Sequence, residues 1–431
     1  MSAQEVNAIR VRAVSVQAPQ DWHAELLALG HRPPPPPSQE PVSGFGMAWE
    51  LSPVPAAVAV RLKEAIETCG GSVWLSAELE NGGSGPGRLL ALAFPGQVEA
   101  ILEALAVPHD PHTLSCVNAW RMALEHLRHP PRPLEIGPLT CAWGTRTYIM
   151  GILNVTPDSF SGDGLLREEE WLEVLVERAR QFVASGADIL DIGGESTRPG
   201  AAPVPLDEEL RRVVPAVRAV AQAVKVPISV DTYKAEVARQ AIEAGAHLVN
   251  DVWGLRMDPE MAHVVADYSV PVVIMHNRSR PKDAVQEQRL GGRYVGVQYT
   301  HLMRDVLDEL AASVELALRH GVPEEHIIVD PGIGFGKTVE QNLELLRRLE
   351  ELHVLGRPIL VGPSRKSFIG YTLDLPPGER LEGTAAAVAL SVAKGADIVR
   401  VHDVLQMSRV ARFVDAVVRP APRLHRRGDM Q

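Results

Sequence analysis

Tyr148-Ile149-Met150-Gly151-Ile152-Leu153-Asn154-Val155-Thr156-Pro157 is an apolar run that ends on an amide and then turns at a proline. Its uninterrupted apolar character suits a strand of a parallel sheet, which is covered on both faces. The turn at its end separates two folds. A doubly wound open sheet more often shows a glycine fingerprint after its first strand, and this chain has Asn154-Val155-Thr156-Pro157 there instead. Seven further apolar runs lie downstream: Ala187 to Gly193, Pro227 to Val230, His247 to Val252, Pro271 to Met275, His326 to Val329, Pro358 to Val361 and Asp397 to Val401. Each is followed by a helical pattern. Eight such units over roughly 275 residues are what a (β/α)8 TIM barrel needs. The doubly wound sheet stands as the structural alternative.

Upstream, two breaks divide the chain. His31-Arg32 followed by Pro33 to Pro37 reads as a stiff polyproline spacer or loop. His129-Pro130-Pro131-Arg132-Pro133 reads as a domain boundary. Between them lie apolar runs at Ser72 to Leu75 and Leu89 to Phe94, with helical patterns around Val58 to Thr68, Val98 to Ala106 and Val117 to Leu127. Residues 1–140 are therefore expected to form a small α+β domain of unknown role, residues 145–420 the barrel, and residues 421–431 a basic, solvated tail.

Net charge is −11, so a nucleic-acid partner has no electrostatic support. The basic cluster Arg423-Leu424-His425-Arg426-Arg427 is too short to carry more than weak contacts. Cys69, Cys116 and Cys141 cannot form a closed disulfide set and lack metal-ligand spacing. No signal-peptide pattern opens the chain and no apolar run reaches membrane length, so a cytoplasmic enzyme without a membrane partner is expected.

In a barrel the residues just past each strand's C-terminal end share one face, so their list amounts to a site prediction. In order they are Asn154, with Asp158-Ser159-Phe160 in its loop; Glu195-Ser196-Thr197-Arg198, turned by Pro199-Gly200; Asp231-Thr232; Asn250-Asp251; His276; Asp330; Ser364-Arg365-Lys366; and Arg400, His402 and Asp403. Asp231, Asn250 and Asp330 offer acceptors and one amide donor to a flat, nitrogen-rich ring, since a buried carboxylate needs hydrogen-bond partners or a cation. Arg198, Arg365, Lys366, Arg400 and His402 suit a phosphate or diphosphate. No carboxylates at matching spacing would neutralise them.

Asp330-Pro331-Gly332-Ile333-Gly334-Phe335-Gly336-Lys337 imitates a nucleotide-binding loop, but Pro331 stands where that loop requires its first glycine. The glycines then read as a tight loop packed close to the site, with Asp330 as the functional group. Glu125, His126 and His129 have helical spacing without a third ligand, and Glu168-Glu169-Glu170 reads as an acidic first helical turn. His276 is as readily structural as catalytic.

At these residues the chain strongly resembles the dihydropteroate synthase family. The matching stretches are Ile152 to Phe160, Asp191-Ile192-Gly193-Gly194-Glu195-Ser196-Thr197-Arg198-Pro199-Gly200, Ser229-Val230-Asp231-Thr232, Val249-Asn250-Asp251, Asp330 to Lys337, Ser364-Arg365-Lys366-Ser367 and Arg400-Val401-His402-Asp403. They run in family order from about residue 148 to 415. The resemblance implies a transferase of folate biosynthesis. It would condense 6-hydroxymethyl-7,8-dihydropterin diphosphate with 4-aminobenzoate to give 7,8-dihydropteroate and diphosphate.

The resemblance also implies roles. Asp231, Asn250, Asp330 and Lys366 would bind the pterin ring, with Phe335 in the same loop as Asp330. Arg400 would flank the pterin face and, with His402 and Asn154, hold the diphosphate. Mg²⁺ would bridge Asn154 and the diphosphate. Thr197, Arg198, Pro199 and Phe160 would close over the aminobenzoate. Asp231, Lys366, Arg400 and His402 would act in catalysis, and a homodimer is implied. The chain departs from the family pattern in three places: Ser161-Gly162-Asp163-Gly164 in the first loop, Met275-His276-Asn277-Arg278 with a polar insertion to about residue 297, and the N-terminal region. A pterin-binding methyltransferase acting on methyltetrahydrofolate would have no use for Thr197-Arg198-Pro199-Gly200 or Ser364-Arg365-Lys366. A non-catalytic pterin-binding module would show erosion among Asn154, Arg198, Lys366, Arg400 and His402, and all are present.

Overall fold

A strand residue points to the opposite face from its neighbour, and that alternation builds the two larger of the four sheets among the described residues. The computed structural model describes residues 9–15, 25–30, 47–83, 85–106, 110–155, 168–196, 201–295 and 297–419. Two compact units emerge: Met1–His129 with Glu350–Gly356, and Pro130–Leu349 with Arg357–Gln431. The polyproline run and the basic tail 421–431 lie outside the described residues.

The first unit holds a four-stranded antiparallel sheet in the order β1-β2-β4-β3. Its strands are β1 (Arg10–Val14), β2 (Met47–Val54), β3 (Ser72–Leu75) and β4 (Gly87–Ala93). Helices Ala56–Thr68, Pro95–Ala104 and Pro111–Arg128 accompany it, and the ring of Trp120 meets that of Trp49 on β2 with centroids 5.9 Å apart. The sequence reading missed β1 and β2. Arg12 interrupts the apolar pattern of β1, yet it is buried because its guanidinium bonds to Glu25, Glu50 and Glu351.

The second unit opens with the hairpin β5 (Leu134–Ile136) and β6 (Leu139–Cys141). The barrel begins with β7 (Tyr148–Asn154), β8 (Ile189–Gly193), β9 (Ile228–Asp231), β10 (Leu248–Asp251) and β11 (Val272–Met275). A small antiparallel pair, β12 (Ala284–Val285) and β13 (Arg293–Tyr294), intervenes. The barrel resumes with β14 (Ile327–Asp330), β15 (Leu360–Val361) and β16 (Ile398–Val401). These eight barrel strands form one parallel sheet in the order β14-β11-β10-β9-β8-β7-β16-β15. A parallel bridge between Val329 and Ile359 brings its two edges together. All eight runs of the sequence reading are strands, and the sheet is a TIM barrel rather than an open doubly wound one.

The barrel's N-terminal end is plugged. Leu134, Ile136, Cys141 and Trp143 pack on a layer of strand residues that includes Tyr148, Met150, Ile189, Leu248, Val273, Ile328, Leu360 and Ile398. The Ala142 N–H donates to Tyr148 Oη at 2.8 Å and fixes the plug's exit. Ile136 is fully buried. Ile136→Ala is expected to cost about 2–5 kcal/mol through lost burial and a residual cavity, and to leave substrate affinities unchanged below the melting range. Urea unfolding checks the first expectation and steady-state kinetics the second.

Candidate active site

The opposite end of the barrel is polar because each inward line of side chains changes character along its strand. Two residues beyond the buried Ile189, Leu248, Ile328 and Ile398 stand Asp191, Asn250, Asp330 and Arg400. Register then groups the rim. Asn154 lies opposite Gly193, Gly193 opposite Asp231, and Asp231 opposite Asn250, so four successive strands contribute one row. Gly193 gives that row its space: a Cβ there would sit 3.2 Å from the Asp231 Cβ.

Arg400 ties two strands together beneath this row. Its Nε donates to Asp191 Oδ2 at 2.5 Å and its Nη2 to Asp231 Oδ2 at 2.6 Å. Asn250 Nδ2 donates to the same Asp191 oxygen at 3.3 Å, while Asp191 Oδ1 is buried without a hydrogen bond among the described residues. Burial pushes the Asp231 carboxyl above its usual range, and Arg400 pulls it back. Burial opposes the charge on Arg400 too, but Asp191 and Asp231 outweigh it and the guanidinium stays ionised.

Asp330 begins the loop that resembled a nucleotide cradle. Its Oδ1 accepts the Gly332 N–H at 2.7 Å, and burial pushes its carboxyl up to about 6. Lys337 turns back into its own loop. It is buried, with its Nζ 3.0 Å from Gly332 O, 3.1 Å from Phe335 O and 3.0 Å from His276 Nδ1. Burial brings that lysine down to about 7. Two of the loop's glycines are required by close approach. A Cβ on Gly332 (φ +71°) would collide with His276 O, and one on Gly334 (φ +84°) would meet Lys366 Cδ at 2.7 Å. The Lys366 stem can therefore cross Gly334, which sets Nζ 3.8 Å from the centroid of the Phe335 ring. Phe335 joins Val252 and Met275 in an apolar wall, with Tyr233 and Trp253 packed against it.

His276 belongs to this supporting layer. Burial holds it neutral, down to about 3, and its Nε2 lies 3.1 Å from Glu309 Oε2. Asp251 is also structural, accepting the N–H groups of Trp253 and Leu255 at 2.8 Å each. His402 lies 3.0 Å from Ser364 Oγ through Nδ1, and burial together with Arg400, Arg365 and Lys366 brings it down to about 3.

The expectation that no carboxylates neutralise the cations is overturned by the pairings. Arg400 holds Asp191 and Asp231, and Arg365 Nε donates to Asp403 Oδ2 at 3.0 Å. Asp191 escaped the sequence argument because it lies inside its strand rather than past its end. Its signal is a charge at an inward position of an otherwise apolar run. Glu209 was missed as well. It is buried on the helix Leu206–Ala223, where Oε1 accepts from Thr232 Oγ1 at 2.8 Å and Oε2 pairs with Lys234. Lys234 in turn reaches Glu195 Oε2 at 2.6 Å. Phe160, Thr197, Arg198 and Pro199 lie outside the described residues. Burial pushes the Cys116 and Cys141 thiols up to about 12, which makes them poor nucleophiles.

Comparison with known proteins adds to this geometry. A family model described as pterin binding enzyme matches residues 150–402. A dihydropteroate synthase of Clostridium beijerinckii is 49% identical over 287 residues, covering 66% of this chain and 100% of that protein. The chain belongs to the dihydropteroate synthase family. The Bacillus subtilis dihydropteroate synthase is 46% identical, covering 68% of this chain and 96% of its own length. Among solved structures, a Clostridium difficile dihydropteroate synthase determined in the presence of pteroic acid superposes with TM-score 0.58 at 49% identity, over 64% of this chain and 98% of that one. The Xanthomonas albilineans synthase with 4-aminobenzoic acid gives TM-score 0.59 at 40% identity, over 67% and 98%. The family match begins downstream of the Met1–His129 portion of the first unit.

Proposed function

We propose a division of labour among these residues in the reaction of the dihydropteroate synthase family. The chain is a transferase of folate biosynthesis that condenses 6-hydroxymethyl-7,8-dihydropterin diphosphate with 4-aminobenzoate. The observation that supports the assignment is the convergence of buried Asp231, Asn250 and Asp330 at one barrel mouth beside Lys366 and Arg400. Two carboxylates and an amide match the donor and acceptor edge of a pterin, and Phe335 with its apolar neighbours gives the ring a flat wall.

In the reaction the C–O bond to diphosphate breaks and a C–N bond forms to the amine nitrogen, which gives up one proton. Positive charge grows on the pterin methylene and negative charge on the leaving group. The carboxylate of Asp231 stabilises the first, while Lys366, Arg400 and a His402 that gains a proton beside the anion stabilise the second. The aromatic amine is already a nucleophile, so no thiol or hydroxyl need be activated. Thr197, Arg198 and Pro199, with Phe160, are assigned to the aminobenzoate.

Among the described residues no group of three or more His, Cys, Asp or Glu could hold a metal by itself. Asn154, on the rim, offers one neutral oxygen. That donor set fits Mg²⁺, which keeps several waters and takes most of its other ligands from substrate phosphates. When bound with the diphosphate, it would neutralise leaving-group charge. The cytoplasmic location and the homodimer implied by the resemblance belong to the same proposal, and sedimentation of the purified protein reads the second.

The test is an assay of purified protein with dihydropterin diphosphate, 4-aminobenzoate and Mg²⁺, following diphosphate release with and without the amine. Release that depends on the amine is expected. Lys366→Ala should lower kcat/KM for the pterin by roughly 100-fold or more, because the lost cation faces the charge that develops in the transition state. A Lys366→Ala enzyme within a factor of about two of wild type would remove Lys366 from the site.

A further inference from the structure

The insertion after β11 and the strained turn before Lys366 meet at one buried arginine. Arg365 has φ +58°, a left-handed conformation for a residue with a side chain, which persists only where the surrounding structure holds it. Three contacts do so. Its N–H donates to Thr384 Oγ1 at 3.1 Å, its guanidinium pairs with Asp403, and its carbonyl accepts from Arg380 Nη1 at 3.1 Å.

Arg380 is only 3% exposed, and among the described residues no carboxylate pairs with it. Its donors go to main-chain carbonyls instead. Besides Arg365 O, Nη2 reaches Leu290 O at 2.8 Å, and both Nε and Nη2 reach Leu375 O at 3.2 Å. Gly370 makes room for the group, since a Cβ there would collide with Nη2. Leu290 belongs to the insertion, and the same stretch is anchored again nearby. Tyr371 Oη donates to Gly291 O at 3.1 Å, the Arg293 guanidinium sits 4.4 Å from the centroid of the Tyr371 ring, and Arg289 Nη1 donates to Asp374 O at 3.0 Å.

We propose that Arg380 is a positioning residue for the reaction: it joins the insertion after β11 to the Arg365 carbonyl and so fixes the backbone that sets Lys366 over Phe335. The insertion is then a brace for the loop after β15. A planar guanidinium suits the task because its fixed fork reaches three carbonyls at once, which a lysine ammonium on a flexible stem does less well. The inference rests on the role proposed above for Lys366.

The test uses the full chain with steady-state kinetics for each substrate and thermal unfolding in parallel. Arg380→Met is expected to raise KM for dihydropterin diphosphate roughly tenfold and to leave KM for 4-aminobenzoate within about twofold. Arg380→Lys should recover part of the loss. Should Arg380→Met fail to fold, the surface pair Arg289→Ala with Tyr371→Phe loosens the insertion without emptying the buried site, and a roughly threefold rise in the same KM is expected. Unchanged pterin KM in the folded variants, with Lys366→Ala inactive, overturns the inference alone. So does an equal loss for both substrates that merely tracks the drop in melting temperature. A normally active Lys366→Ala overturns the site assignment and this inference with it.

Discussion

Replacing Arg400 by methionine is expected to abolish amine-dependent diphosphate release and to cost about 3–5 kcal/mol of stability. The two effects have separate causes. The guanidinium is shared between Asp191 and Asp231, both buried, so its removal takes from two carboxylates the cation that bonds them. Breaking one side of a buried pair costs more than the pair contributed, because the remaining charge has lost water as well as its partner. Activity falls because the same group is assigned to the leaving diphosphate. Adding Asp191→Asn to Arg400→Met should recover a substantial part of the stability and none of the activity.

The stability loss should also depend on pH. An unpaired buried carboxyl has a folded-state pKa above its unfolded value, so the folded state binds the proton more tightly. Its penalty is then full only above that raised value and shrinks as pH falls through it toward the unfolded value. Urea unfolding of the single and double variants at several pH values reads all of this. An Arg400→Met protein as stable as wild type would mean that the pairing with Asp191 and Asp231 does not hold the barrel mouth together.

How much of the molecule could be read in the chain depends on where the decisive contacts are made. The barrel was legible because Ile189, Leu248, Ile328 and Ile398 sit in short apolar runs, each followed by a helical pattern. Asp231, Asn250 and Asp330 were legible because a polar group at the end of such a run stands out. Asp191 was not, since a list of residues past the strand ends stops one step above it. The pairing of Arg365 with Asp403 joins residues from different strand ends, and spacing along the chain carries no trace of it.

Arg380 and Lys337 were hidden for a further reason. Both bond chiefly to main-chain carbonyls, which every residue has, so no side-chain motif announces their partners. The plug was obscured by its position beside the proline-rich break, and its apolar residues Leu134 and Ile136 are too few to show a period. In the first unit, Arg12 concealed β1 because a buried charge looks like a surface residue until its three carboxylates are known.

Asp330→Asn gives the most direct test of the pterin subsite, because it changes charge with little change in shape. In the folded protein Oδ1 accepts from Gly332, and no other protein donor reaches the carboxylate among the described residues. The remaining acceptor capacity is assigned to the N–H groups of the pterin. A charge-assisted hydrogen bond contributes about 1.5–3 kcal/mol, and an amide also turns two donor hydrogens toward donors, so pterin affinity should fall roughly a hundredfold. The wild-type protein should show a matching pH limb. Burial raises the Asp330 carboxyl to about 6, while Lys366, Lys337 and Arg400 pull it down. Only the ionised form accepts two donors, so affinity should be full above about 6 and decline below it by up to about tenfold per pH unit. A pterin without the diphosphate is the proper ligand, since phosphate oxygens titrate in the same range. Calorimetric titrations with 6-hydroxymethylpterin across that range should show the limb in wild type and lose it in Asp330→Asn. A limb that persists in the variant assigns the titration to a different group, and unchanged affinity in the variant removes Asp330 from the pterin subsite.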